Sequence, residues 1–474
     1  MGADPRDGRQ GVDQPTGAPE GISRRRFLDL LGAGSLAIGL SSTGFLAACG
    51  GSPSQNQNSG GKSESGIDAI ILDQPIEITF WHIQATIYGE SIKEMVAKFN
   101  AENTYKITVK ENFQGDYAAL NQKLRAALQG GGLPEVSMAY ENDTLEYMNA
   151  KTVLPLDDYI ASTKYGLTKE QLNDISPGVL ERQRIPAYGG KTMSWTHGNS
   201  AQGMYYNIDI LKKAGITQPA KTWDELLTQA RQIKEATGLP TLPVTTAVNF
   251  LHYNILRSNG VDPLAADGKS SNFNTPESVA ALELIKRLFD DKLAFTAQDS
   301  EQEFTNQRAA MEIATTARTT SKIDLIQNKF QWGITLTPQG KAPKPITVMF
   351  GGNQVLFDKK DPKRHLAAWL FMRYFGGPDA QAIYAARTGY FPASISARDT
   401  PLLKENFQKH PQKKQAFEDI FPAARIYPPS AAGNSIDKMV SDKVTEVILG
   451  RTTPAAAAAS MKSEADRLLK DLGA

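Results

Sequence analysis

Between residues 76 and 140 the hydrophobic period switches repeatedly between two and 3.6, and this alternation limits the possible fold more than any other feature of the chain. Ile76, Ile78 and Phe80 alternate with Glu77 and Thr79, the period of a strand with one face turned inward. Ile92, Met95, Val96 and Phe99 then recur at helical spacing, and Ile107 and Val109 alternate. Tyr117, Leu120, Leu124 and Leu128 return to helical spacing, before Val136, Met138 and Tyr140 alternate again. Strand, helix, strand, helix, strand at this spacing predicts βαβ units, a parallel sheet and right-handed crossovers.

A second region repeats the pattern with clear helix punctuation. Thr222 with Glu225 reads as a capping box and Gly238 as the end of that helix. Thr275-Pro276 and Asp361-Pro362 mark two further helix starts. These helices are expected to cover a second sheet. A chain of 474 residues exceeds what one hydrophobic core usually supports, which agrees with two domains of roughly 150 to 200 residues. No internal repeat has a solenoid period.

The first 74 residues read differently. SRRRFL at 23–28, with Arg24 and Arg25 paired, resembles a twin-arginine export signal, and the run after it is only moderately apolar. Leu-Ala-Ala-Cys at 46–49 resembles a bacterial lipobox, which makes Cys49 the expected lipidated first residue of the mature chain. Two or more acyl chains hold a protein stably on a membrane. The stretch GGSPSQNQNSGGKSESG that follows has no apolar residue to bury. It is a flexible tether, with a mean reach of roughly 23 Å for a random coil of that length. The expected divisions are therefore a signal peptide over 1–48, and a lipidated cysteine with its tether over 49–74. The protein is expected outside the cytoplasm, held to the outer face of the bacterial cell membrane or in the periplasm.

Composition excludes several classes of function. With 52 Lys and Arg against 51 Asp and Glu, the chain lacks the charge excess that drives nucleic-acid binding. A single cysteine can form neither a disulfide within the chain nor a zinc cluster. The five histidines, at 82, 197, 252, 365 and 410, show no metal-binding spacing. The glycines of Gly32-Ala33-Gly34 lie in the leader rather than between a strand and a helix, and no G-x-S-x-G elbow occurs. No cofactor, metal or catalytic residue is expected.

In open α/β sheets ligands bind beyond the carboxyl ends of strands. Those segments here hold Trp81 and His82, Tyr117, Glu141 with Asn142 and Asp143, and Trp195 through Ser200. Aromatic faces stack on the C–H side of sugars while carboxylates and amides bind hydroxyls, so such mixtures suit polyols. Core packing accounts equally well for Trp81, Trp195 and Tyr117. Glu141, a carboxylate at a strand end, is the stronger candidate. As a pair, Glu141 and Asp143 are candidates for glycosidase carboxylates by position alone.

Several stretches are shared with a known family: FWH at 80–82, FNAEN at 99–103, GDY at 115–117, MYYNIDILKKAGI at 204–216 followed by KTWDEL at 221–226, FGG at 350–352 and RTGYFP at 387–392. Over about residues 75–472 the chain resembles the bacterial extracellular solute-binding proteins (family 1) of ABC importers. In particular it is similar to the branch that binds sugars, glycerol 3-phosphate and glycerophosphodiesters. The resemblance implies an α/β, two-lobed periplasmic-binding-protein-like fold. Each lobe would be a mostly parallel sheet flanked by helices, with a hinge and a cleft between the lobes. The first lobe would comprise 75–197 and 317–351, and the second 198–316 and 352–474, with return crossings near 315–318 and Gly351-Gly352.

The same resemblance implies binding without catalysis, delivery to membrane permease subunits with a separate ATPase, and ligand contacts at Tyr117, Glu141, Ser200, Gly352 and Tyr390, with Thr315 or Thr316 in place of a serine. Trp195, Asn249 and Asn434 complete the expected ligand set. The phosphate side departs from the family, because PPSAAGNS at 428–435 has Ala431 where the glycerol-phosphate binders carry an arginine. Arg318 is the candidate replacement. Loss of such a charged bond, each contributing roughly 1.5 to 3 kcal/mol, favours a neutral or zwitterionic ligand: a sugar, an oligosaccharide or a glycerophosphodiester. A secreted carbohydrate-active enzyme and a surface adhesin without a small ligand are the alternatives at this point.

Overall fold

The computed structural model describes residues 66–472; the expected leader, Cys49 and the tether as far as residue 65 lie outside the described residues. The alternation after residue 75 folds as β1 (Ile76–His82), helix Thr86–Glu102, β2 (Ile107–Phe113), helix Tyr117–Gly130 and β3 (Val136–Ala139). β1 pairs in parallel with both β2 and β3. Ile78 and Phe80 are buried on β1, and Ile92, Met95 and Phe99 on the first helix pack into the same core. Each fully buried side chain of this size stabilises the fold by roughly 1.5 to 3 kcal/mol. Asp116 starts the second helix by accepting from the Ala119 amide at 2.8 Å, the cap expected of an Asp in that place.

The remaining strands are β4 (Trp195–Thr196), β5 (Ser200–Asn207), β6 (Leu242–Val244), β7 (Ala294–Thr296), β8 (Met311–Thr315), β9 (Trp332–Leu336), β10 (Thr347–Phe350), β11 (Asn353–Leu356) and β12 (Ala424–Arg425). One sheet has the order β2-β1-β3-β11-β4, and a second runs β12-β10-β5-β8 with β9 also on β5. Around the second sheet a separate core forms from Leu226, Ile233, Leu282, Ile285, Val440 and Met461, among others. Its helices begin and end where the sequence indicated. The Thr222 hydroxyl accepts from the Glu225 amide at 3.2 Å, Gly238 takes the left-handed conformation, and Thr275 caps the helix Pro276–Asp290.

The second sheet differs from a mostly parallel one, since β5 is antiparallel to β8, β9 and β10. Direction of travel explains the last pairing: β5 carries the chain out of the first lobe and β10 carries it back. The expected lobe boundaries differ as well. β9 and β10, within 317–351, pair with β5 in the second sheet, and the chain does not recross at 315–318. β11 lies in the first sheet. The helix Pro362–Phe375 packs on β1, β4 and β11 rather than on the second sheet, and Pro378–Arg387 packs on Thr86–Glu102. Nine of the fourteen residues of Pro362–Phe375 are buried; such all-round burial leaves little of the one-sided pattern that assigns a helix to a sheet.

The last residues read as tether, 66–74, are packed rather than free. Asp68 accepts from the Thr163 hydroxyl at 2.9 Å and the Lys164 amide at 3.1 Å. The Tyr165 hydroxyl donates to the Ile70 carbonyl at 2.6 Å. Ile67, Ile70 and Leu72 rest against the first core. Among the described residues no helix is long and apolar enough to cross a membrane.

Candidate functional site

Two chain crossings between the sheets lie side by side. One joins β4 to β5 through His197, Gly198 and Asn199; the other joins β10 to β11 through Gly351 and Gly352. The amides of His197 and Gly198 both donate to the Gly352 carbonyl at 3.3 Å. Gly351 has φ +116°, and a Cβ there would collide with the Gly198 carbonyl oxygen. Only glycine meets both conditions at low cost.

Above these crossings is a cleft of about 760 Å³, walled by residues of both sheets. Glu141, at the start of the helix Glu141–Asn149 after β3, comes from the first lobe. Ser200 and Gln202 on β5, Thr315 on β8 and Phe350 on β10 come from the second, while Tyr390 enters from the loop after Pro378–Arg387. The Thr315 hydroxyl donates to the Ser200 hydroxyl at 3.0 Å. Of the expected set, Glu141, Ser200, Thr315, Arg318, Tyr390 and Asn434 line the cleft.

The other expected residues stand behind it. Tyr117 stacks on Tyr140 with ring centroids 4.0 Å apart, and it is Tyr140 that faces the cleft. Gly352 lies under Tyr117 and Met138, which a Cβ would meet at 2.5 and 2.6 Å, while its buried neighbour Gly351 lines the cleft. Trp195 is buried edge-on against Trp369 at 5.6 Å, so core packing accounts for it. The Thr316 hydroxyl is fully buried and accepts from the Ala201 amide at 3.1 Å. Asn249 begins the helix Asn249–Ser258 and accepts from the Ser441 hydroxyl at 2.9 Å.

Asn434 connects the two sides of the cleft. Its amide donates to Asp143 at 3.1 Å and its oxygen accepts from Asn142 at 3.4 Å. Asn142 in turn accepts from the Ser430 amide at 3.1 Å. Asp143 is buried, caps its own helix through the Tyr140 amide at 3.1 Å, and takes a further bond from Asn121 at 2.9 Å. Burial pushes its carboxyl upward. Of the pair Glu141 and Asp143, only Glu141 lines the cleft, so the two do not form facing glycosidase carboxylates.

Sequence reasoning missed Arg182, the buried cation of the site. It sits on the short helix Pro177–Gln183 with its side chain only 1% exposed. The guanidinium is paired with Glu141 and donates to the Gly351 carbonyl and, at 3.3 Å, to the Asn199 amide oxygen. It therefore ties a cleft carboxylate to both crossings at once. Glu141 also accepts from Asn353 at 2.8 Å. On the opposite wall Arg318 pairs with Glu301 at 3.1 Å, and buried Lys322 bridges Glu301 and Glu312 at 3.2 and 2.9 Å.

Apart from Tyr390, the aromatic lining was also missed. Phe250 and Phe350 meet edge to face at 4.8 Å, and Tyr427 lies 5.1 Å from Tyr253. Asp437, on the helix Gly433–Ile448, accepts from the hydroxyls of Tyr253 at 2.8 Å and Tyr427 at 3.0 Å. Burial outweighs those two bonds and raises its carboxyl to about 6. Asn249 flanks Phe250 in sequence and was the one available pointer to this wall. Among the described residues no cluster of metal-binding side chains occurs.

A family model described as bacterial extracellular solute-binding protein matches residues 94–415. The sn-glycerol-3-phosphate-binding periplasmic protein UgpB of Escherichia coli (strain K12) is 26% identical over 417 residues, which span 83% of this chain and 92% of that protein. Two solved structures share the fold. The cyclic alpha-maltosyl-1,6-maltose binding protein of Arthrobacter globiformis superposes with a TM-score of 0.72 at 22% identity, over 84% of this chain and 100% of that one. UgpB of Mycobacterium tuberculosis, in complex with glycerophosphocholine, gives 0.73 at 19% identity, over 84% and 99%.

Proposed function

The chain belongs to the bacterial extracellular solute-binding protein family, and from that premise we propose that it captures a sugar, an oligosaccharide or a glycerol-derived polyol in the cleft above Gly351. As in its family, the solute is bound outside the cytoplasm and passed to an ABC permease. Cys49 is the proposed lipid anchor. The observation that carries the reading is the composition of the cleft. Carboxylate, amide and hydroxyl groups from both lobes (Glu141, Gln202, Ser200, Thr315) face aromatic rings (Tyr140, Tyr390, Phe250, Phe350) across one space. That combination serves a molecule with hydroxyl edges and C–H faces.

Charge argues against a phosphate monoester. Both arginines that line the cleft are already committed, Arg182 to Glu141 and Arg318 to Glu301. Turning Arg182 to a phosphate would leave Glu141, whose side chain is 12% exposed, without its cation, at a cost of about 1 to 3 kcal/mol or more, whereas Glu301 would keep Lys322 at 3.2 Å if Arg318 turned away. We still expect a neutral or charge-balanced solute, since the described lining holds five carboxylates against Arg182 and Arg318. Binding contributes to mechanism only through its difference between states: a solute that touches both walls favours the closed form by the contacts it gains there. Glu141 and Tyr390 enter from the first lobe and Ser200 and Thr315 from the second, so closure is the step such a solute would drive.

Calorimetric titration with maltose, maltotriose, glycerophosphocholine and glycerol 3-phosphate tests the proposal. At least one of the first three should bind at micromolar or tighter concentration, and glycerol 3-phosphate at least tenfold more weakly. Tight glycerol 3-phosphate binding would overturn the charge argument, and release of a cleaved product from an oligosaccharide would overturn the non-enzymatic reading.

A further inference from the structure

Among the described residues five carboxylates line the cleft: Glu141, Asp299, Glu301, Glu312 and Asp437. Four have positive partners or a helix end to satisfy them. Glu141 has Arg182, Glu301 has Arg318 and Lys322, and Glu312 has Lys322. Asp299 caps the helix Ser300–Thr305 through the amides of Glu301 and Gln302 at 3.0 and 3.2 Å. Asp437 differs. Its partners among the described residues are neutral groups, the phenols of Tyr253 and Tyr427 and the Asn249 amide, and neither a lysine nor an arginine is among them.

A carboxylate drawn out of bulk water and left without a cation is costly. The groups around it offer what a cation prefers. Phe350 and Phe250 meet edge to face at 4.8 Å, Phe250 and Tyr253 at 6.2 Å, and Tyr253 and Tyr427 at 5.1 Å, so a continuous aromatic run leads from β10 to Asp437. Phe250, Phe350 and Tyr427 all line the cleft beside Asp437, and ring faces attract ammonium groups. On β5 the side-chain oxygen of Gln202, a residue 7% exposed, lines the same space and accepts no hydrogen bond among the described residues. This cleft thus holds acceptors in excess of donors.

We infer that Asp437, with the rings of Phe250, Phe350 and Tyr427, forms a subsite for a positively charged group, a primary amine or a quaternary ammonium, carried by the bound solute. The inference rests on the polyol reading for the rest of that solute, but the cation subsite stands on its own residues. It narrows the ligand class to amino sugars and zwitterionic glycerol derivatives over plain sugars. A purely structural Asp437 would only hold the two tyrosines, and its loss would weaken every ligand alike.

The test compares matched pairs by calorimetry on the full chain: glucosamine against glucose, and glycerophosphocholine against glycerophosphoglycerol, with choline alone as a third probe. In the wild type the charged-amine member should bind at least tenfold tighter than its partner, and in Asp437→Asn that ratio should fall below about threefold. A ratio near one in the wild type, or a ratio unchanged in folded Asp437→Asn, overturns the subsite. If Asp437→Asn does not fold, Phe350→Leu is read in the same way: a threefold or larger fall in the ratio supports the subsite and an unchanged ratio overturns it. Should no polyol bind, choline decides. Choline binding that is lost in the variants keeps the subsite and discards the polyol reading, whereas choline that fails to bind discards the subsite.

Discussion

Replacing Arg182 by methionine should be the most damaging single change near the cleft. The guanidinium is 99% enclosed and meets three acceptors on three different segments, Glu141, Asn199 and the Gly351 carbonyl. Methionine keeps much of the volume and removes all of those donors. Glu141 would then remain buried with the Asn353 amide, at 2.8 Å, as its one side-chain donor among the described residues. Removing one member of a buried ion pair typically costs about 3 to 5 kcal/mol, because a charge is left uncompensated. With a urea slope of about 3 kcal/mol/M, the unfolding midpoint should fall by about 1 to 1.7 M. Arg182→Lys keeps the charge but not the planar fork that serves Asn199 and Gly351, so about half the loss is expected. The decisive variant is the double replacement Arg182→Met with Glu141→Met. It removes both charges together and should be more stable than Arg182→Met alone, a coupling that a double-mutant cycle reads directly. The reasoning is refuted if Arg182→Met lies within 1 kcal/mol of wild type, or if the two single losses simply add.

Further expectations follow from other contacts. Gly351→Ala places a Cβ against the Gly198 carbonyl at φ +116°, so it should lower thermal stability and weaken solute binding together, as seen in a melting curve and a titration. Burial raises the Asp437 carboxyl to about 6, above its unfolded value, so the native state holds that proton more tightly. Its contribution is therefore fully present below about pH 4 and is lost as pH rises through 6. Asp437→Asn should accordingly gain about 1 to 3 kcal/mol relative to wild type at pH 8 and little at pH 4, in urea titrations at the two pH values. Thr222→Ala removes the acceptor for the Glu225 amide and should cost about 1 kcal/mol. Asp68→Ala removes the bonds to Thr163 and Lys164, and limited proteolysis should then cut within residues 66–74 faster than in wild type.

Local periodicity made the first lobe legible. β1, the start of β2 and the two helices between them and β3 have one face inward and show it as a local period, whereas β3 is buried at all four residues and was placed by its neighbours. Helix ends were equally legible, because Thr222, Thr275 and Asp361 cap through bonds to amides two or three residues away. Lobe membership after residue 317 was not legible. Pairing of β10 with β5 joins Phe350 to Ser200, about 150 residues apart in sequence, and a local pattern carries no trace of such a partner. The same holds for the site. Glu141 and Tyr390 could be placed by resemblance, but Arg182 lies in the run LERQRIP beside Arg184, whose side chain is 56% exposed. Nothing local distinguishes the buried arginine from the solvated one. Asp437 is likewise one acid on an amphipathic helix until Tyr253 and Tyr427 are brought to it by the fold.

Small-angle X-ray scattering of the full chain, with and without a saturating solute identified by calorimetry, tests most directly whether two walls close on one solute. The account predicts a smaller radius of gyration in the bound state, and no such change for Glu141→Gln at a solute concentration that saturates only the wild type. An unchanged radius in wild type at proven saturation would contradict it.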